Sequence, residues 1–133
     1  MAKRSGRYGH TSMLPWLTAK PPGETEKRFI QIGNSLLLDS TFRSLSRGAQ
    51  MLYLCMALES GGKSIFQLSK GAAKRKYGCA PTSFDRYRRE LEVNGFVRII
   101  ESETRGQYEA NTYAFSDTWK QRGPPRKADT YPP

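Results

Sequence analysis

Apolar positions along this chain first form a continuous run, then follow a helical period, and finally alternate. The run of eight residues from Met51 to Leu58 contains no charged or strongly polar side chain. It therefore predicts a helix that is buried on most faces, with an N-cap at Ser46 and a stop at Gly61-Gly62. The run is too short to cross a bilayer, which needs about 20 apolar residues.

Two shorter helices joined by a tight turn are predicted next. Ser69 is a suitable N-cap for the first of them, which is expected to end at Gly78, where glycine can take a positive φ. Pro81 is expected in the first turn of the second helix, which stops at Gly95. Apolar side chains recur on this second helix at three- and four-residue spacing and predict a stripe that faces a core: Phe84, Tyr87 and Leu91.

The opposite face of the second helix is polar and rich in arginine. Its side chains are Thr82, Ser83, Asp85, Arg86 and Arg89, with Arg88 at the margin. The arginine fork can bond O6 and N7 of guanine together, while Ser and Thr suit phosphates or bases. The alternative is an ordinary solvated face with local ion pairs at i,i+4, for which Arg86 with Glu90 and Arg88 with Glu92 have the right spacing.

Residues after the second helix alternate in the manner of a β-hairpin. Strand patterns at residues 96–101 and 108–115 flank a polar turn that contains Arg105. Residues 65–68, just before the first helix of the pair, are expected to supply a third strand. A helix pair that leads at once into a hairpin is typical of a winged helix. We therefore expect an α+β fold, a winged helix-turn-helix with a three-helix core and a β-hairpin wing, and Arg105 at the wing tip within reach of DNA.

Composition divides the chain into one domain and two basic tails. The domain is expected over residues 29–116, beginning with a strand-like alternation at residues 29–32 and a short helix capped by Asp39 or Ser40. Residues 1–28 predict a basic, partly disordered arm, and residues 117–133 predict a basic, disordered tail rich in Pro and Gly. Apolar residues interrupt the arm at 13–17 and are expected to dock on the domain or on a second copy.

Positive charge is concentrated on the helix pair and the tails. The 133 residues carry a formal net charge of +10, and residues 69–98 alone carry eight Lys or Arg against three acids. Such a chain is drawn to polyanions by counterion release, which favours nucleic acid as the partner. Lysines of the first helix in the pair are expected to anchor phosphates: Lys70, Lys74 and Lys76.

Candidate catalytic and metal-binding residues are scarce. His10 is the only histidine and lies in a basic segment rich in glycine. The segment at residues 61–64 resembles the end of a phosphate-binding loop but lacks its first glycine. Cys55 and Cys79 are too few for a zinc site or a disulfide framework. The acidic residues of the hairpin are expected to face solvent. We therefore expect no enzyme activity, no cofactor and no metal.

Two groups of residues carry a resemblance to a known family. The first is Leu45-Ser46 followed by Ala49 and Leu52-Tyr53, and the second is the spacing of Arg86, Leu91 and Gly95-Phe96. With them, residues 29–115 resemble the N-terminal winged-helix domain of replication initiators and related helix-turn-helix proteins of plasmids and other bacterial mobile elements. The resemblance implies that duplex DNA binds through the helix that carries Thr82, Ser83 and Arg86.

Sequence-selective binding of double-stranded DNA is the function these patterns predict. The resemblance implies a role in replication initiation or transcriptional regulation of a bacterial plasmid or mobile element. We expect a cytoplasmic protein, associated with the nucleoid or a plasmid, that binds DNA as a homodimer or in tandem and has no membrane or small-molecule partner. One alternative is an adaptor whose winged helix binds protein partners in a replication or partition complex. RNA binding is another, which Tyr108 and Tyr113 keep open.

Overall fold

The computed structural model describes residues 13–101 and 110–121 and divides the chain into two units, residues 1–31 and 32–133. The described part of the first unit begins with one turn of 3-10 helix over Pro15–Leu17. The side chain of Trp16 in this turn is 76% exposed. Further along, the hydroxyl of Thr18 donates to the carboxylate of Glu26 and ties the two ends of the intervening turn together.

The second unit opens with three helices: α1 at Asn34–Leu38, α2 at Ser40–Ser44 and α3 at Arg47–Ser60. Asp39 accepts hydrogen bonds from the backbone amides of Thr41 and Phe42 at 2.8 and 3.1 Å, which confirms it as the cap of α2. The strand expected at residues 29–32 does not form, because a short alternating segment becomes a strand only beside a partner strand.

Helix α3 begins and ends where its sequence predicts. The hydroxyl of Ser46 accepts from the amide of Ala49 at 3.2 Å, and Gly61 ends the helix in the left-handed region at φ +62°. Buried Gln50 donates to the carbonyl of Phe42 at 2.9 Å and so fixes α3 against α2. Helix α2 therefore packs on α3 and covers part of its surface.

A three-stranded antiparallel sheet is formed by β1 at Ile65–Ser69, β2 at Val97–Glu101 and β3 at Ala110–Phe115, within the described ranges. The spatial order is β1-β3-β2. Phe66 lies opposite Tyr113, and Ile99 also pairs with Tyr113 before the register shifts towards Glu101. The third strand expected before the helix pair is thus confirmed as β1, at one edge of the sheet.

Helices α4 and α5 cover Lys70–Tyr77 and Pro81–Val93. The hydroxyl of Ser69 accepts from the amide of Ala72 at 3.0 Å at the start of α4, and Gly78 ends it with φ +73°. Pro81 is the first residue of α5, as its fixed φ favours. Both boundaries of the predicted turn between the two helices are therefore confirmed.

The core lies between α3, α5 and the inner face of the sheet. Its largest fully buried side chains are Tyr113, Phe84, Phe96, Met56, Leu91 and Val97. Phe96 is central among the aromatic contacts, since its ring lies 5.3 Å from Tyr53 and 6.0 Å from Phe42, centroid to centroid. Among the described residues, five α-helices and this sheet give an α+β fold, and every helix there is too short or too polar to span a membrane.

A segment after β3 closes the core from the C-terminal side. A 3-10 helix covers Thr118–Gln121, and Trp119, only 8% exposed, stacks on Phe96 at 4.9 Å. The carbonyl of Gly95 accepts from the hydroxyl of Thr118 and the amide of Trp119. The prediction of a disordered tail from residue 117 is therefore wrong for residues 118–121, because the indole of Trp119 completes the core.

Candidate nucleic-acid interface

One side of α5 is fixed to the core. Phe84 is 1% exposed and Leu91 is fully buried, while Tyr87 is half-buried against the cluster. These are the three side chains of the predicted core-facing stripe, which is confirmed. The opposite side of α5 is therefore directed away from the core.

The outward side carries four exposed residues at spacings of four, three and four, which place them along one face of the helix. This outer stripe is Thr82, Arg86, Arg89 and Val93. Ser83 is half-buried beside it. Val93 is 70% exposed and was not predicted for this face, although its distance of eleven residues from Thr82 places it there.

Asp85 and Lys70, both predicted as DNA contacts, bind each other. Lys70 Nζ lies 3.0 Å from Asp85 Oδ2, and Arg88 Nη2 lies 3.9 Å from Asp85 Oδ1. Arg88 also donates to Glu92 Oε1 at 2.5 Å. The carboxylate of Asp85 is thus engaged on both oxygens, and its contact with Lys70 joins the first residue of α4 to the first turns of α5.

The predicted phosphate anchors of α4 differ in their surroundings. Lys76 Nζ donates to Glu59 Oε2 at 2.9 Å, and the hydroxyl of Tyr77 donates to the other oxygen of Glu59 at 2.8 Å. Lys74 and Arg75 are exposed and form no ion pair within the described ranges. Arg75 was not predicted, although it lies in the same last turn of α4 as Lys74. Lys74 and Arg75 are therefore the more available cations of this helix.

Only one of the two local ion pairs that would make α5 an ordinary solvated helix is formed. Arg88 and Glu92 pair, as that alternative requires. Glu90 instead accepts from the amide of Ser46 at 2.6 Å and from its hydroxyl at 2.8 Å, so it caps α3 rather than meeting Arg86. In the part of the chain described, both arginines of the outer stripe are left without an acidic partner.

Arg86 contacts the side chain of Tyr87 on the domain surface. Its guanidinium carbon lies 5.0 Å from the centre of the Tyr87 ring, and its Nη2 donates to the Tyr87 hydroxyl at 3.3 Å. The pattern of apolar positions assigned Tyr87 to the core alone. Its hydroxyl reaches the edge of the outer stripe because the ring is long enough to pack and to emerge.

Other residues singled out from the sequence are Arg105, His10 and the two cysteines. Arg105 and His10 lie outside the described residues. Burial raises the pKa of the thiol of Cys55, with smaller contributions from Cys79 and Glu59, and burial also raises the pKa of the Cys79 thiol. Both thiols therefore stay protonated at neutral pH, and Cys79 packs against the core cluster as a small apolar group. Within residues 13–101 and 110–121, no three His, Cys, Asp or Glu side chains are placed to hold a metal ion.

No family model, curated protein or solved structure matches this chain. The resemblance to the winged-helix domain of replication initiators therefore stays a prediction from sequence.

Proposed function

We propose that this chain binds double-stranded DNA sequence-selectively, with α4 and α5 as a helix-turn-helix and the strands β2 and β3 as the base of a wing. The observation that carries the proposal is the outer stripe of α5. Its two arginines are exposed, point away from the core and have no acidic partner in the described ranges. Helix and strand order agree with a winged helix, since β1 precedes the helix pair and pairs with β3.

The outer stripe suits the major groove. The groove is about 12 Å wide and admits one α-helix, and recognition helices present the residues of their N-terminal half to base edges. Thr82 and Arg86 lie in that half of α5, and Arg89 follows one turn later. We assign Arg86 and Arg89 to guanine edges or phosphates, and Thr82 and Ser83 to a phosphate or a base.

Phosphate anchoring is assigned to Lys74 first. Lys70 and Lys76 already neutralise carboxylates of the domain, so each releases fewer counterions on DNA than an unpaired lysine. For the same reason we assign Asp85 to holding α4 against α5. Its carboxylate already binds Lys70 and has Arg88 within 3.9 Å, so a base that donates to Asp85 would compete with these two cations.

The biological setting we propose is replication initiation or transcriptional regulation of a bacterial plasmid or mobile element, as the sequence resemblance implies. A single helix reads only a few base pairs, so binding as a homodimer or in tandem would lengthen the site. Association with the nucleoid or with a plasmid follows from DNA binding itself.

Selection of bound sites from a random duplex library tests the proposal. Salt near 150 mM is suitable because it screens the contacts that do not depend on sequence. We expect an enriched motif, whose symmetry would report a dimer. Binding at low salt with no enriched motif would refute sequence-selective recognition and favour the adaptor, whose basic segments hold DNA loosely.

Two variants then separate reading from anchoring. Arg86→Ala should weaken binding to the selected motif by about 1–3 kcal/mol and relax the preference at one base pair. Lys74→Ala should weaken all duplexes alike and lower the salt slope by roughly one. Lys76→Ala is the matched control, since its ammonium is paired with Glu59, and it should lower the slope less. Equal losses on specific and random duplex for Arg86→Ala would contradict its assignment.

A further inference from the structure

Tyr87 packs against bare backbone in the first turn of α3. An ideal Cβ built on Gly48 would lie 2.0 Å from Tyr87 Cζ and 2.4 Å from both Cε atoms. These separations are far shorter than any contact between carbon atoms, so only glycine lets the ring lie there. The outer end of the Tyr87 ring is therefore located by α3.

The same end of the ring meets Arg86. The guanidinium carbon is 5.0 Å from the ring centre, and Nη2 donates to the hydroxyl at 3.3 Å. No acid in the described ranges competes for this guanidinium. Gly48, Tyr87 and Arg86 thus form a chain of contacts that runs from the backbone of α3 to the outer stripe.

A second contact fixes the same two helices close by. Glu90, three residues after Tyr87, accepts from the amide and hydroxyl of Ser46 at the start of α3. Tyr87 and Glu90, one turn apart on the same side of α5, therefore both contact the first turn of α3. These two contacts fix α5 against α3 beside Tyr87.

We infer that Tyr87 is a positioning residue for Arg86, which restricts the orientation of the guanidinium before DNA binds and so sharpens the preference for guanine at one base pair. The inference rests on the proposed function. An exposed arginine samples many rotamers, whereas a bidentate contact with O6 and N7 accepts only one arrangement of its fork. A guanidinium held by ring and hydroxyl has less freedom to lose, and this improves discrimination through preorganisation.

Tyr87→Phe is the variant that isolates this role. It keeps the ring on Gly48 and removes only the hydroxyl that accepts from Arg86, so the fold should be preserved. Gly48→Ala acts from the other end, since the new methyl must displace the ring. Because Gly48→Ala also perturbs packing, the conclusion depends on Tyr87→Phe.

The experiment measures affinity for the selected motif and for duplexes that change each base pair in turn. Wild type, Tyr87→Phe, Arg86→Ala and the double variant are compared at about 150 mM salt. We expect Tyr87→Phe to lose about threefold to tenfold of the discrimination at the base pair where Arg86→Ala loses it. The double variant should discriminate no worse than Arg86→Ala, because the hydroxyl acts only through the guanidinium.

Tyr77→Phe is the matched control, since it removes a hydroxyl of α4 that donates to Glu59 of α3. The base preferences of this variant should equal those of wild type. Unchanged discrimination in Tyr87→Phe, a uniform loss over all duplexes, or an additive loss in the double variant would overturn the positioning role while leaving the proposed function intact. A wild-type protein that enriches no motif would overturn both.

Discussion

Replacing Trp119 by alanine removes the side chain that closes the core beside Phe96. An indole that is 8% exposed buries most of the roughly 150–250 Å² of a large aromatic side chain. At about 25 cal/mol per Å² this burial is worth about 4–6 kcal/mol, and real unfolded chains, which are partly compact, lower the figure. We therefore expect Trp119→Ala to lower the free energy of unfolding by about 3–5 kcal/mol, a large share of the total of a small domain.

Urea unfolding followed by far-UV circular dichroism measures this loss. The chain has two tryptophans, and the other, Trp16, is 76% exposed. Trp16→Ala is thus the matched control and should change the free energy of unfolding by less than about 0.5 kcal/mol. It also leaves Trp119 as the only indole, whose fluorescence should shift to the red as the core opens. A loss below about 1 kcal/mol in Trp119→Ala, or equal losses in both variants, would refute the packing argument.

Further predictions concern the cap of α3, a glycine turn and the alkaline limit of stability. Glu90→Ala should lower the free energy of unfolding by about 0.5–2 kcal/mol, and a double-mutant cycle with Ser46→Ala should show coupling; additive losses would contradict the cap. Gly95→Ala should cost about 2 kcal/mol or more, because φ is +85° and a Cβ would lie 2.9 Å from the amide nitrogen of Trp119; an unchanged Tm would contradict this. Burial raises the pKa of Tyr53 because it disfavours the ionised phenolate. The stability contributed by the buried, neutral phenol is therefore complete below about pH 10 and is lost as pH rises through the folded pKa. Tm between pH 8 and 11 should therefore fall less in Tyr53→Phe than in wild type, and identical curves would contradict the assignment.

Elements whose signals lie within a few residues were predictable from the sequence. Ser46 and Ser69 cap their helices, and Gly61 and Gly78 end them, because a hydroxyl or a positive φ acts on the adjacent turn. The three strands follow for a similar reason, since alternation reports one buried face. The alternating residues 29–32 show the limit of this reasoning, because nothing local indicates whether a partner strand is present.

Contacts between distant parts of the chain were not predictable. Trp119 lies among basic and proline-rich neighbours, and only its stacking on Phe96 brings it into the core. The exposed positions of the outer stripe followed from helical spacing, with Val93 as the residue missed. The pairing of Asp85 with Lys70 did not follow, because it depends on how α4 crosses α5.

Helix α5 has one side that packs into the core and an opposite side that is exposed. Thr82 and Arg89 are exposed, whereas Phe84 and Leu91 are buried in the core cluster. Substitutions on the outward side are thus expected to cost little stability. The same scaffold can therefore diversify its outward surface by single replacements, each tolerated on its own, without passing through unfolded intermediates.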